Sequence, residues 1–426
     1  MFYNFLVFNQ HPYNRMNFSS LAVKVASRCN LNCSYCFMYN LGDTTYKNQP
    51  KFMSSETVDH IIIKTKKHIK KYNKKEFSFL FHGGEPLLAP KVFYRDFVNK
   101  VKKIQTELSE VVISFDLQTN GVLLDESWIR LFKELNISPS VSVDGTKKAH
   151  DMFRIDHKGN GSYDTVFKNV RLLKNRMTFA DIACVININE TPIQIYESFK
   201  KMNVSYVNFL IPDYTHDNFP FNNKETLMGN WLIKLFDIWV NDKQRYKVPL
   251  FIGLLNTLMR INENVKNEST VLVIETNGEI EAIDSLKACG HGFTKTGLNI
   301  KKNNFQDIQD TSLGKLYFND FNTKLCNKCL KCPLKEACKG GRLVHRYSKE
   351  KGFNNPSVYC SDLIKLIAHV QKFFISCYPD LNKKENIEEI SPNEIINYLT
   401  SIDKDTESIY KKELELFSEK NMRNAS

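Results

Sequence analysis

Hydrophobic and polar positions alternate in two rhythms along the chain. Short runs rich in Val, Ile and Phe occur at Leu21–Ala26, Phe77–His82, Val112–Gln118, Ser140–Val143, Ile182–Ile188 and Tyr206–Ile211, and most end at Gly, Asn or Asp. Runs of this length and content predict strands. Between them, apolar residues recur at three- and four-residue intervals over Ser55–Tyr72, Pro90–Leu108, Glu126–Leu135, Tyr163–Arg176 and Pro192–Met202, with a sixth such stretch near Met228–Asn241. That period predicts amphipathic helices. Strand and helix in strict succession predict a parallel sheet covered by helices, joined by right-handed crossovers.

The rhythm breaks after about residue 246. The stretch "STVLVIETNGEIEAIDSL" reads as a β-hairpin turning at Asn277–Gly278. A Cys- and Gly-rich irregular region follows to about residue 360, and the rest is helical and charged. The predicted organisation is an N-terminal extension (1–17), a core of six βα units (18–245), a Cys-rich region (246–365) and a helical tail (366–426). The 426 residues exceed a typical single core, which agrees with this division.

Composition excludes several classes. Apolar residues make up 42% and charged residues 25%, so the chain is not of the disordered kind. No run of eighteen apolar residues suggests a transmembrane helix, and the N-terminus lacks the features of a signal peptide. A cytoplasmic protein without a membrane partner is expected. The net charge of +12 comes mainly from dispersed lysines, as in "KTKKHIKKYNKKE", which suits solvated helix faces and also an acidic partner such as a peptide leader. No nucleic-acid-binding module is recognisable, so no nucleic acid partner is expected.

The eleven cysteines narrow the chemistry. An odd number without an export signal argues against a disulfide framework and for metal or redox chemistry. Three lie at Cys29, Cys33 and Cys36, and six between Cys289 and Cys360, whereas Cys184 and Cys377 sit in apolar contexts. Three thiolates from one loop can hold three irons of a four-iron cluster and leave the fourth open. The loop follows the first strand, at the carboxyl end of a parallel sheet, where such folds place ligands. A zinc with a distant fourth ligand is the alternative. "FHGGEP" (Phe81–Pro86), "QTNG" (Gln118–Gly121) and "SVDG" (Ser142–Gly145) end the next three strands on the same rim.

Cys29, Cys33 and Cys36, with Tyr35 before the last and Phe37 after it, together with these strand-end motifs, resemble the radical S-adenosylmethionine enzymes over residues 18–245. The resemblance implies a partial (β/α)6 barrel of α/β class, a [4Fe-4S] cluster with an open iron, and S-adenosylmethionine chelated to it. It implies that Gly83, Gly84 and Glu85 hold the methionine ammonium and that Phe37 lies near the adenine. Asn120 and Ser142 are the candidates for the ribose and its surroundings, and Arg154 for the methionine carboxylate.

In the second region, Cys329, Cys332, Cys338 and Cys360 suffice for a fully ligated cluster, with structural zinc as the rival. Their arrangement resembles the SPASM auxiliary-cluster domain, and Cys289 fits that pattern too. The chain departs from the full pattern at "NEST" before the hairpin and at Arg342, and it adds Cys326. One auxiliary [4Fe-4S] cluster is expected. Cys289 and Cys326 are candidates for a second, or a structural cysteine and a spare thiol.

"GGRLVHRYS…GFNNPSVYCSDL" and "FLIPDYTHDNFP" resemble the cyclophane-forming enzymes, of three-residue-cyclophane and darobactin type, that modify ribosomally made peptides. The expectation is a 5′-deoxyadenosyl radical that takes hydrogen from a peptide β-carbon, which then bonds to an aromatic ring. A precursor peptide and a reductant such as flavodoxin or ferredoxin are the implied partners. Asp213, His216 and Asp217 are candidates for peptide contact or proton acceptance, against a role as loop caps. His345, Arg346 and Tyr347 stand between a site and a bridge between regions. The rival outcomes are thioether formation, sulfatase-type oxidation of Cys or Ser, and a non-catalytic metal-stabilised peptide-binding protein.

Overall fold

The computed structural model describes residues 18–178, 180–221, 225–259, 271–320, 323–379, 387–402 and 407–423. The N-terminal extension and the "NEST" segment lie outside them. Six strands follow the predicted order: β1 (Ser20–Ala26), β2 (Glu76–Gly83), β3 (Val112–Thr119), β4 (Ile137–Ser142), β5 (Asp181–Val185) and β6 (Tyr206–Leu210). All pair in parallel, so this is the α/β fold of a partial barrel. The helices between them are α1 (Ser55–Tyr72), α2 (Lys91–Gln105), α3 (Glu126–Leu135), α4 (Lys147–Asp151), α5 (Tyr163–Met177) and α6 (Pro192–Met202), and α7 (Leu227–Asn241) follows β6.

Two strand boundaries differ from the sequence pattern by three residues. β4 begins three residues earlier than the apolar run, because Phe115 to Thr119 of β3 continue the ladder down to Ile137. β5 ends at Val185 because Ile186 bonds across to the Leu210 carbonyl and the chain then turns away.

Local chemistry explains the repeated unit. β1 is buried at all seven positions, as expected of a strand covered on both faces. α1, α3 and α6 each end at an asparagine in the left-handed region (Asn73, φ 47°; Asn136, φ 54°; Asn203, φ 53°). Asparagine tolerates that conformation, which stops the helix and turns the chain toward the next strand. Thr191 and Gln194 form a reciprocal capping box at the start of α6, with Pro192 in its first turn. Between sheet and helices, Phe79, Phe81 and Phe97 pack edge to face at 5.0–5.1 Å.

The sheet does not stop at six strands. The hairpin forms as expected, with Gly278 at φ +84° in its turn. Its first strand, β7 (Val271–Ile274), pairs in parallel with β1, and its second, β8 (Ile280–Glu281), pairs antiparallel with β7. The order is β6-β5-β4-β3-β2-β1-β7-β8, which puts β1 inside the sheet rather than at its edge. The hairpin therefore carries the start of the Cys-rich region to the same rim as the Cys29–Cys36 loop. Among the described residues, no helix is long and apolar enough to cross a membrane.

The Cys-rich region is anchored by the long helix Cys360–Cys377, which packs along α7. Asp362 accepts a hydrogen bond from the Gly229 amide in the first turn of α7 (2.7 Å), a cap supplied from another helix. Asp362→Ala leaves that buried amide unpaired and is expected to lower stability by about 1–3 kcal/mol, read as a lower urea midpoint with an unchanged slope.

Candidate active site

The first-strand loop is built by backbone contact with β2. The β1–β2 register shifts between Lys24 and Ala26. Past that shift, the Gly84 amide donates to the Ala26 carbonyl (2.8 Å) and the Glu85 amide to the Arg28 carbonyl (2.9 Å). A β-carbon on Gly83 would stand 2.2 Å from the Ala26 oxygen, and one on Gly84 2.0 Å from the Tyr39 hydroxyl. The two glycines thus let the cysteine loop lie against β2.

Above the strand ends is a cavity of about 250 Å³ bordered by Cys29, Cys33 and Cys36, by Tyr35, Phe37, Gly83 and Gly84, and by Asn120, Ser142, Arg154 and Asp213. Eleven of the residues singled out in the sequence therefore meet at one place. Asn120 donates to Asn30 (2.8 Å) and reaches the Cys29 sulfur at 3.6 Å. Ser142 accepts from Gln118 (2.9 Å). Arg154 donates to the Tyr35 hydroxyl (2.7 Å), which donates to Asp144.

Glu85 does not border this cavity. It is fully buried and accepts from the Thr119 hydroxyl (2.6 Å) and from the Asn120 (2.8 Å) and Leu87 (2.9 Å) amides, clamping the ends of β2 and β3 together.

The donor set fits an iron–sulfur cluster. Burial, with Glu85 and the neighbouring thiols adding to it, pushes the Cys29 thiol up to about 12, and burial does the same to Cys36. Three neighbouring buried thiols become thiolates only beside bound positive charge. Among the described residues, no three or more His, Cys, Asp or Glu side chains gather as a single metal ion requires.

The opposite wall carries side chains that sequence reasoning passed over. Lys24, in the middle of β1 and fully buried, is ion-paired with Asp284 and lies 2.9 Å from His82 Nδ1. Asp284 and His82 border the cavity. Burial alone raises the Asp284 carboxyl, but Lys24 and His82 outweigh it and hold it at about 2. Burial and the Lys24 charge hold His82 at about 3, so its ring is neutral near pH 7 and charged only in the acid range where Asp284 takes up its proton. The available signal was a lysine inside the otherwise apolar run "LAVKVA". Nothing near Lys24 in sequence names its partner, 260 residues away.

Asp213 also borders the cavity and is ion-paired with Arg342. Burial raises its carboxyl to about 6 despite that arginine. The other two acid–base candidates sit elsewhere. His216 Nε2 donates to the Pro356 carbonyl (2.8 Å), and Asp217 accepts from the Lys349 amide (3.0 Å). Both join the loop after β6 to the Cys-rich region. His345 does the same, meeting the Pro212 carbonyl at 3.1 Å, and Tyr347 accepts from the His216 amide at 2.9 Å.

A second cavity, of about 190 Å³, is bordered by Cys329, Cys332, Cys338 and Cys360. Cys326 does not border it, and packs with Leu325 and Cys329. Cys289 borders neither cavity and is fully surrounded, with Asp213 and Asp217 as its charged neighbours.

Comparison with known proteins follows the geometry. The model of the Radical SAM superfamily matches residues 23–202. The chain is 28% identical over 361 residues to the cysteine-type anaerobic sulfatase-maturating enzyme of Clostridium novyi (strain NT), covering 80% of this chain and 92% of that protein. It is 27% identical over 409 residues to the serine-type anaerobic sulfatase-maturating enzyme of Bacteroides thetaiotaomicron, covering 88% of this chain and 93% of that protein. Among solved structures, native anSMEcpe with bound AdoMet superposes with a TM-score of 0.72 at 25% identity, over 85% of this chain and 99% of that one. Streptococcus suis SuiB bound to precursor peptide SuiA shares the fold, with a TM-score of 0.53 at 18% identity over 81% of this chain and 76% of that one.

These likenesses correct the expectation of aromatic-ring cross-linking. Relatives aligned over nearly their whole length are named for sulfatase maturation, whereas the short tail motifs carried the cyclophane resemblance. Those motifs include residues whose hydrogen bonds join the regions, among them His345, Tyr347 and Tyr359.

Lys24→Met strands the Asp284 carboxylate without its partner and is expected to cost about 3–5 kcal/mol at pH 7, measured by anaerobic urea unfolding. The native pair's contribution is complete above the unfolded carboxylate value of 3.8 and is lost as pH falls through about 2. Asp213 works in the opposite sense. Its folded value near 6 exceeds the unfolded 3.8, so the native state holds the extra proton between them and stability falls as pH rises through that window. Asp213→Asn is expected to flatten this part of the stability–pH curve.

Proposed function

We propose, for this radical SAM/SPASM oxidoreductase related to the anaerobic sulfatase-maturating enzymes and to peptide-modifying radical SAM enzymes, the oxidation of a cysteine or serine side chain in a protein or peptide to formylglycine. The observation that carries the reading is a cavity where the Cys29, Cys33 and Cys36 thiols and an ionised Asp284 face the same space. The extended likeness to sulfatase-maturating enzymes of both cysteine and serine type supports it.

Bound at its thiols, the first cluster would supply reductive cleavage of S-adenosylmethionine to a carbon radical, and a fully ligated second cluster an electron acceptor. The chain's own residues bind, orient and move a proton. Gly83 and Gly84 offer backbone to the methionine end of the cofactor, and Arg154, fixed by Tyr35 and Asp144, offers a charge for its carboxylate. Phe37, Asn120 and Ser142 border the remainder. Oxidation to the aldehyde level removes a hydrogen atom from the substrate β-carbon, one electron, and a proton from its thiol or hydroxyl; for cysteine the resulting thioaldehyde is hydrolysed by water with release of hydrogen sulfide, and in both cases the proton needs a base. Asp284 is the ionised carboxylate on the wall, and Lys24 keeps it so. A positioned general base contributes roughly 10²–10⁴-fold to such a step. Arg342 closes the same wall through Asp213.

The test uses the anaerobically reconstituted holoenzyme with reductant, AdoMet and the Kp18Cys peptide bound by a structural relative, alongside its serine counterpart. The expected products are 5′-deoxyadenosine and a peptide aldehyde captured by a hydrazide. A peptide that loses hydrogen while keeping its sulfur and giving no carbonyl adduct would sink the proposal. Asp284→Asn is expected to keep deoxyadenosine formation while aldehyde yield falls about 100-fold or more.

A further inference from the structure

The largest side chain among those fully buried is Arg346, in the short turn Val344–Arg346 behind the second cavity. Its neighbours explain how it gets there. Gly340, two residues past Cys338, adopts φ +76°, and a β-carbon there would stand 3.2 Å from one guanidinium nitrogen of Arg346 and 3.5 Å from its Cδ. The Arg346 side chain therefore lies close against the segment that leaves Cys338. The turn itself is held by Asn355, which donates to the Arg346 carbonyl (3.0 Å).

Guanidinium does not deprotonate in proteins, so this charge is permanent and out of water. A buried charge is costly unless an opposite charge lies close. The thiols of Cys329, Cys326 and Cys338 lie close enough to act on it once they carry charge as cluster ligands. Two of these border the second cavity. Iron–sulfur potentials depend on net charge and surroundings, and reduction adds a negative charge to the cluster.

We propose that Arg346 sets the reduction potential of the auxiliary cluster: its buried guanidinium stabilises the reduced, more negative state and makes the cluster easier to reduce. The proposal rests on reading Cys329, Cys332, Cys338 and Cys360 as cluster ligands. Arg346 touches no substrate in this account and acts through the cluster, as a positioning charge. An easier reduction suits a group that takes an electron from an oxidised substrate.

The experiment uses the full chain with Cys29, Cys33 and Cys36 all changed to alanine and reconstituted with iron and sulfide, so that the second thiol group is the one under observation. If this chain takes up no iron, the ligand reading fails before Arg346 is touched, and the proposal falls with it. In the loaded chain, an EPR-monitored redox titration of Arg346→Gln is expected to show a reduced-to-oxidised ratio about tenfold lower at a given potential, ~59 mV for a one-electron couple. Arg346→Lys, which keeps the charge, is expected to titrate close to the parent. An Arg346→Gln curve that overlays the parent's overturns the proposal. Should Arg346→Gln fail to load, Arg346→Lys decides: loading with the parent's potential supports a role for charge, whereas a shifted potential or failure to load overturns it in favour of packing.

Discussion

The site depends on a contact in which there is no room for a side chain. Where β1 ends, its backbone and that of β2 run together, with Gly84 donating to Ala26 and Glu85 to Arg28. This close approach points the Cys29–Cys36 loop over the sheet rim instead of away from it. It also turns the Glu85 carboxylate inward, where it ties β2 to β3 and brings Asn120 within reach of the Cys29 sulfur. Backbone geometry thus comes first, and the chemistry of the thiols is a consequence of where it leaves them.

Two ion pairs on the facing wall show how burial and partner together set a carboxylate's state. Asp284 and Asp213 are both buried, and each faces a cation. Lys24 and His82 hold Asp284 far below the usual carboxylate range. Arg342 does not offset the burial of Asp213, whose proton is held to near neutrality. One cavity therefore holds a carboxylate that stays charged down to strongly acidic pH and another that responds to mildly acidic pH. Such separation of neighbouring titratable groups is how a single site assigns different roles to chemically identical side chains.

The loop after β6 is the physical join between the two cysteine regions. Pro212 accepts from His345 and Tyr359, His216 meets Pro356, and Asp217 holds Lys349. Three of these bonds end on backbone carbonyls and hold the two regions together. On one side of this join Asp213 faces the first cavity. On the other, His216 borders the second, bounded by Cys329, Cys332, Cys338 and Cys360. The loop thus spans the distance that an electron leaving the substrate would cross under the proposed reaction.

The sequence by itself determined the βα order, because each strand and helix is written in a local period that solvent and core enforce on neighbouring residues. It also determined the first thiol triad and the rim motifs, since short spacing within one loop keeps its side chains together in any fold of that strand. Only the tertiary structure decided that the hairpin at Asn277–Gly278 joins β1 and so brings Asp284 to Lys24. It alone gathered Cys329, Cys332, Cys338 and Cys360 around the second cavity with Cys326 packed against Cys329, and it showed Glu85 tying β2 to β3 and Asp217 accepting from Lys349. These outcomes depend on contacts between residues far apart in the chain, where burial and charge pairing act across space and leave no periodic trace in the sequence.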